Sequence, residues 1–194
     1  MADKVKSPTR VVVKAILSYV NLFEPYIDPK KPTEKGKYKA LLLIDKSDKV
    51  SVRKIREAIK AVEEKMITEK YAGKRPKKAI TNTFNDGDED KEGEEYEGRF
   101  YINVSKHIKP TIVDRKLNPI TDSEEIYSGN VVNVCIDFYY YFRDDAKGIT
   151  ASLESIQKLS DGKALGASRV KPEDVFEEEE DEHDEDYDDE DDLD

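Results

Sequence analysis

The alternation of apolar and polar residues along this chain changes period several times, and each change marks an element. In RVVVKAILSYV, Val11, Val13, Ala15, Leu17 and Tyr19 fall on one face of an extended strand, with Arg10, Lys14 and Ser18 on the other. A lysine-rich loop carrying prolines, EPYIDPKKPTEKG, leads to KYKALLLID. This second strand has Tyr38, Ala40, Leu42 and Ile44 on one face, and Lys37 and Lys39 open the other. From Val50 the spacing becomes helical: Val52, Ile55, Ile59, Val62 and Met66 recur every three or four residues, and Ser47 or Asp48 is placed to cap the start. The far side of that helix carries Arg53, Lys54, Arg56 and Lys60, a solvated face or a minor phosphate contact.

Further along, RFYINVSK predicts a third strand with Phe100, Ile102 and Val104 inward and Arg99, Tyr101, Asn103 and Ser105 outward. PTIVD is a short fourth strand. NVVNVCIDFYYYFRD is the longest, with Val132, Val134, Ile136, Phe138 and Tyr140 on one face and Asn133, Asp137, Tyr139 and Tyr141 on the other. GITASLESIQKLSDG suits a helix through Ile149, Leu153 and Ile156 or a strand through Ile149, Ala151 and Leu153, and a strand closing the sheet is expected. The order predicts a mainly β fold: a five-stranded OB-type antiparallel barrel with one α-helix inserted after the second strand. Two charged runs, GKRPKKAI and NDGDEDKEGEEYEG, read as mobile loops.

Charge changes the picture at the C-terminus. The chain has 33 basic and 44 acidic side chains, and 17 of the acidic ones lie between Glu173 and Asp194, where there is no Lys or Arg. The remainder, 33 basic against 27 acidic, is a body of +6. An OB-fold domain over residues 1–171 and a disordered acidic tail over 172–194 are therefore expected. One cysteine, Cys135, excludes an internal disulfide, and with His107 and His183 it makes no zinc set. The polar start and the absence of a long apolar run predict a soluble protein with no membrane association, located in the cytoplasm.

Candidate chemistry centres on aromatic rings that a simple core does not need. Tyr101, Tyr139 and Tyr141 point away from the inward set, beside Arg99, Asn103, Asn133 and Arg143. Rings on a sheet flanked by cations suit unpaired bases, which stack at roughly 1–3 kcal/mol each. The alternative is ordinary packing in a barrel that partly buries both faces of its long strand. Lys74, Arg75, Lys77 and Lys78 form either a solvated loop or a phosphate-binding arm. Asp86, Asp88, Asp90, Glu92, Glu94 and Glu97 fall at EF-hand spacing, but Lys91 replaces the required glycine and no helices flank the run. No metal and no cofactor is expected, and a nuclease site from these acids with Asp114 is disfavoured because acids in a mobile run are seldom held at ligand geometry. With no P-loop or nucleophile elbow, the chain does not read as an enzyme.

The strings EIYSGNVVNVCIDFYYY and KGITASLESIQKLSDGKALG resemble the phage single-stranded DNA-binding proteins with an OB fold. The matching positions are Tyr127, Ser128 and Gly129 in a YSG turn, then Gly148, Ile149, Ala151, Leu153, Ile156, Gln157, Lys158, Asp161 and Gly162. LSYVNLFEP, KYKALLLIDKSD and RFYINVSKHIKPTIVD occupy the expected order, so the likeness covers roughly residues 8–168. The resemblance implies sequence-tolerant binding of single-stranded DNA in phage replication and recombination, in the host cytoplasm. It also implies an acidic tail that competes with DNA and recruits replication proteins such as a polymerase or helicase. The tail residues concerned are Glu177, Glu178, Glu179, Glu180, Asp181, Asp191, Asp192, Leu193 and Asp194, where Leu193 stands in place of the aromatic that often ends related tails. Tyr101, Tyr139 and Tyr141 are the expected groove floor, with Lys14, Lys37, Lys39, Arg99, Arg143 and the Lys74–Lys78 loop on phosphates. An exposed strand leaves a homodimer open, and an acidic adaptor that uses only the tail is the competing reading.

Overall fold

The computed structural model describes residues 7–143 and 146–166; the expected boundary at 171/172 and every named tail residue lie outside them. The elements are β1 Arg10–Tyr26, β2 Lys37–Asp45, α1 Lys49–Lys70, β3 Phe84–Asp86, α2 Gly87–Asp90, β4 Arg99–Lys106, β5 Thr111–Val113, β6 Val131–Phe142 and β7 Lys147–Ser160. Five long strands close a barrel in the order β1-β2-β4-β7-β6, with β6 returning to β1. All the barrel pairs are antiparallel except the seam. There β4 meets β7 in parallel at Val104 and Ala151, and β5 continues the same line further along β7. β4 and β5 thus act as one interrupted strand, and the fourth strand read from PTIVD belongs to the seam.

Period-two alternation drives closure. Val13, Leu17, Ala40, Leu42, Ile44, Ile102, Val104, Val134, Ile136, Phe138, Leu153 and Ile156 form one buried cluster inside the barrel. Val52, Ile55, Ala58 and Val62 of α1 join that cluster, so the helix packs its apolar stripe against the strands. Asp48 caps α1, accepting from the backbone N–H of Ser51 at 3.0 Å and from its hydroxyl at 2.6 Å.

Two strands carry a phase slip. In β1, Leu17 and Leu22 are both buried although five residues apart, and the pairing with β2 shifts between Ser18 and Asn21. One extra residue sits there, and Tyr19 takes φ 48° and swings outward. The inward place expected for Tyr19 is therefore corrected. In β7, Leu153 pairs with Ile136 and Ser155 with Cys135, leaving Glu154 unpaired. That bulge puts Leu153 and Ile156 three residues apart on the inner face, which explains why the segment also looked helical.

The YSG and DG signatures form one latch. Asn130 is fully buried; its side-chain carbonyl accepts from Tyr127 N–H at 2.7 Å and its amide donates to Asp161 at 3.1 Å. The Tyr127 hydroxyl donates to the Gly162 carbonyl at 3.1 Å. Gly129 has φ 122°, and a Cβ there would stand 2.2 Å from the Lys163 carbonyl oxygen. Gly129→Ala is expected to lower the melting temperature markedly, since the backbone conformation alone costs an alanine about 1–3 kcal/mol and the clash adds to it; a thermal melt by circular dichroism measures this, and an unchanged midpoint contradicts the latch.

Candidate nucleic-acid interface

The outer row of the β2–β4 pair is Lys39 beside Ser105, Leu41 beside Asn103, Leu43 beside Tyr101, and Asp45 beside Arg99. Lys39, Asn103 and Ser105 of the first two pairs are accessible, with Leu41 buried between them. With Tyr19 they line a groove of about 340 Å³ across β1, β2 and β4, formed by Tyr19, Lys39, Leu41, Asn103 and Ser105. Tyr19 is 66% exposed, because its left-handed backbone lifts the ring off the sheet. Further along, the Lys39 ammonium lies 3.2 Å from the centre of the Tyr26 ring, and Lys109 stands 5.2 Å over Phe23. Lys37 pairs with Tyr26 at the mouth, and Lys14 is exposed on the outer row of β1. Neutral amides, rings and cations on one groove suit the stacking and phosphate contacts of a flexible polyanion.

The other half of the row is closed, and this corrects the expected floor. Tyr101 points outward as its position in β4 demands, but it is only 7% exposed. Tyr96 packs edge-on against it at 5.7 Å and 78°, and Leu41, Leu43, Ile16 and Leu165 complete a second apolar cluster. The acidic run 85–98, expected to be mobile, is folded: β3 pairs with β4, α2 follows, and a short 3-10 turn over Glu94–Tyr96 presents the tyrosine. Lys46 anchors it through ion pairs with Asp86 and, at 2.7 Å, Asp88, and Asp88 also accepts from Gly98 N–H at 2.8 Å. Lys46 holds the Asp88 carboxyl below the usual carboxylate range. Arg99, expected on phosphate, is paired with Asp45 at 2.8 Å and donates to the Glu95 carbonyl at 2.7 Å.

Tyr139 and Tyr141 lie elsewhere. β6 is separated from β4 by β7 on one side and by β1 and β2 on the other, so these tyrosines share no floor with Tyr101. Tyr139 is exposed, whereas Tyr141 lies over Gly148, whose Cβ would stand 2.6 Å from the phenol oxygen. Nearby is a second aromatic and basic region. Phe142 has Lys147 and Lys70 over its ring at 4.4 and 5.9 Å and Tyr71 edge-on at 5.6 Å. Lys78 shares a hollow with Tyr71, Pro76 and Lys147, Arg75 is paired with Glu63, and Arg143 is exposed at the strand end. Lys74 and Lys77 are exposed in the same loop, between α1 and β3.

Sequence reasoning missed Tyr19, Tyr26 and Phe142. Tyr19 had a signal: the inward frame runs through Leu17 and resumes at Leu22, which only an extra residue can reconcile. Tyr26 lay in a stretch read as loop, but β1 extends that far. Phe142 has the inward parity of β6, and it is exposed because it ends the strand beyond the core.

The family profile described as Enterobacter phage Enc34, ssDNA-binding protein, matches residues 9–187. The chain belongs to this family of phage single-stranded DNA-binding proteins. The protein p50 of Acyrthosiphon pisum secondary endosymbiont phage 1 is 32% identical over 173 residues, 84% of this chain and 89% of its own length. The single-stranded DNA-binding protein from bacteriophage Enc34 matches with a TM-score of 0.67 at 26% identity, over 87% of this chain and 90% of that one. Its structure in complex with ssDNA matches at 0.69 and 24%, over 81% and 90%. The fold is also that of gp2.5, the single-stranded DNA-binding protein encoded by bacteriophage T7, with a TM-score of 0.58 at 19% identity over 87% and 96% of the two chains.

Burial pushes the Tyr96 phenol up from 10.0 to about 12, with Tyr19 and Glu95 adding to the effect. A phenol held neutral in this way stabilises the covered half fully below pH 10, and that contribution is lost as pH rises towards about 12. Ultraviolet titration is expected to show a late phenolate step that Tyr96→Phe removes; full ionisation of all 11 tyrosines near pH 10 contradicts the packing.

Proposed function

We propose that this protein binds single-stranded DNA with little regard to sequence, along the groove of β1, β2 and β4. The observation that carries the reading is the open half of the outer row. Tyr19, Lys39, Asn103 and Ser105 line one channel there, in a chain of a single-stranded DNA-binding family. Tyr19 and Tyr26 stack on bases, and Lys37 and Lys39 track phosphates, with Lys14 a further cation beyond the covered half. The corner with Tyr139, Tyr141, Phe142, Arg143, Lys147 and the Lys74–Lys78 loop extends the path around the barrel. Duplex DNA keeps its base faces stacked, so a stacking floor favours single strands. The protein acts without catalysis, in phage DNA replication and recombination inside the host cell.

The tail 172–194 is the second functional part. Its 17 carboxylates oppose a body of +6, and the described chain reaches Gly166 with Leu165 packed against the cluster that holds Tyr101. A tail tethered there has a high effective concentration at the groove, so it competes with DNA and, once displaced, is free for replication proteins. The same charge supports the rival reading of an acidic adaptor that uses only its tail.

Fluorescence anisotropy with a labelled oligothymidylate tests both. Tyr19→Ala is expected to weaken binding by roughly 5- to 150-fold, the equivalent of about 1–3 kcal/mol for one stacked base. Unchanged affinity for both Tyr19→Ala and Tyr139→Ala removes stacking from the reading. Deleting residues 173–194 is expected to tighten binding at low salt, whereas the adaptor reading requires no binding by either form.

A further inference from the structure

The closed half of the outer row is built from the same kinds of contact that a bound nucleotide makes. Tyr96 puts a ring edge-on against the Tyr101 ring at 5.7 Å. Asp86 and Asp88 put anionic oxygens on the Lys46 ammonium. Asp90 faces the Tyr101 hydroxyl, and Lys91 stands 5.6 Å over its ring. The covered and open halves are continuous: Leu41 belongs to both, and Tyr19 lines the groove while its phenol reaches that of Tyr96. The groove therefore ends at residues 86–97 because that segment occupies the next position along it.

We infer that residues 86–97 are an internal stand-in for nucleic acid, a releasable cover over a further base-stacking subsite made by Tyr101 and Leu43. Single-stranded DNA displaces the cover, trading Tyr96 for a base and the Asp88 carboxylate on Lys46 for a phosphate, while Asp86 stays paired with Phe100 in β3. The attachment suits release. Its ion pairs are partly solvent-exposed, so salt and competing phosphates weaken them. Its helices are single turns, and its apolar anchor is one tyrosine. This cover is distinct from the C-terminal tail in position and in covalent attachment, since both its ends are fixed in the barrel by β3 and β4. The inference rests on the DNA-binding reading and deepens it.

Gly87 offers a lever that leaves the charge unchanged. A Cβ there would stand 2.6 Å from the Tyr96 carbonyl oxygen and 2.7 Å from that of Arg99, so Gly87→Ala forces the segment away from β4. Tyr96→Ala removes the covering ring by a second route and serves if Gly87→Ala fails to fold by circular dichroism. Either variant is expected to bind oligothymidylate more tightly, by up to about tenfold if the uncovered state is about one-tenth populated in the wild type. The gain should vanish when Tyr101→Ala is added. A gain of equal size without Tyr101, or no gain from either folded variant, overturns the cover. Hydrogen exchange on the full-length wild-type protein supplies a direct readout. The amides of Lys91, Tyr96 and Glu97, hydrogen-bonded within the segment, and that of Gly98, bonded to Asp88, are expected to exchange faster when DNA is bound. Unchanged or slower exchange in a sample whose anisotropy shows saturation overturns the inference. An oligonucleotide that fails to bind the wild type at all overturns instead the DNA-binding reading beneath it.

Discussion

A closed five-stranded barrel has one inside, and every strand must present its apolar residues to that inside at a period of two. Ala40, Leu42 and Ile44 on β2 and Ile102 and Val104 on β4 meet this demand without a break. Their neighbours Lys39, Leu41, Leu43, Tyr101, Asn103 and Ser105 are consequently forced outward in register, and they make the outer row of the β2–β4 pair. The seam between β4 and β7 holds that row in place. It is a parallel contact continued by β5, and it closes the barrel around the core.

Departures from the period carry the specific features. One extra residue in β1 turns Tyr19 from an inward position to the most exposed ring of the groove. One unpaired residue in β7, Glu154, is turned to Lys106 at 2.6 Å and ties the seam strand to β4. The Tyr127–Asn130 turn and the Asp161–Gly162 turn lock the end of the barrel sheet through a buried asparagine and two glycines without room for a side chain. From there Leu165 packs against the Tyr101 cluster, so the chain leaves the barrel beside the groove.

Charge is organised at two ranges. Locally, Lys46, Arg99 and Lys106 are each matched with a carboxylate, which holds the face together but takes those cations out of the free set. Lys39 at the groove and Lys147 at the Phe142 corner have aromatic partners instead, and a cation over a ring is not neutralised as it is by a carboxylate. Over the whole chain, a positive body carries a strongly negative C-terminal sequence, so the net charge by itself misrepresents the body.

The order of the long strands, the long helix α1 with Ser47 or Asp48 at its cap, the closing strand and the YSG and DG turns were all legible in the residues. These depend on local period and turn chemistry, which neighbouring residues specify. The charge division between body and tail was equally a matter of counting. Tertiary structure alone decided which outward rings are open. Tyr101, Tyr139 and Tyr141 share the same parity in their strands, yet Tyr101 is covered, Tyr139 is 48% exposed and Tyr141 lies on Gly148. Parity assigns a face of a strand; it does not say which neighbouring strand, loop or helix covers that face. The acidic run shows the same limit. Its composition reads as solvated loop, and it is the pairing of Phe84 and Asn85 with β4, together with Lys46 from a distant strand end, that folds it onto the groove.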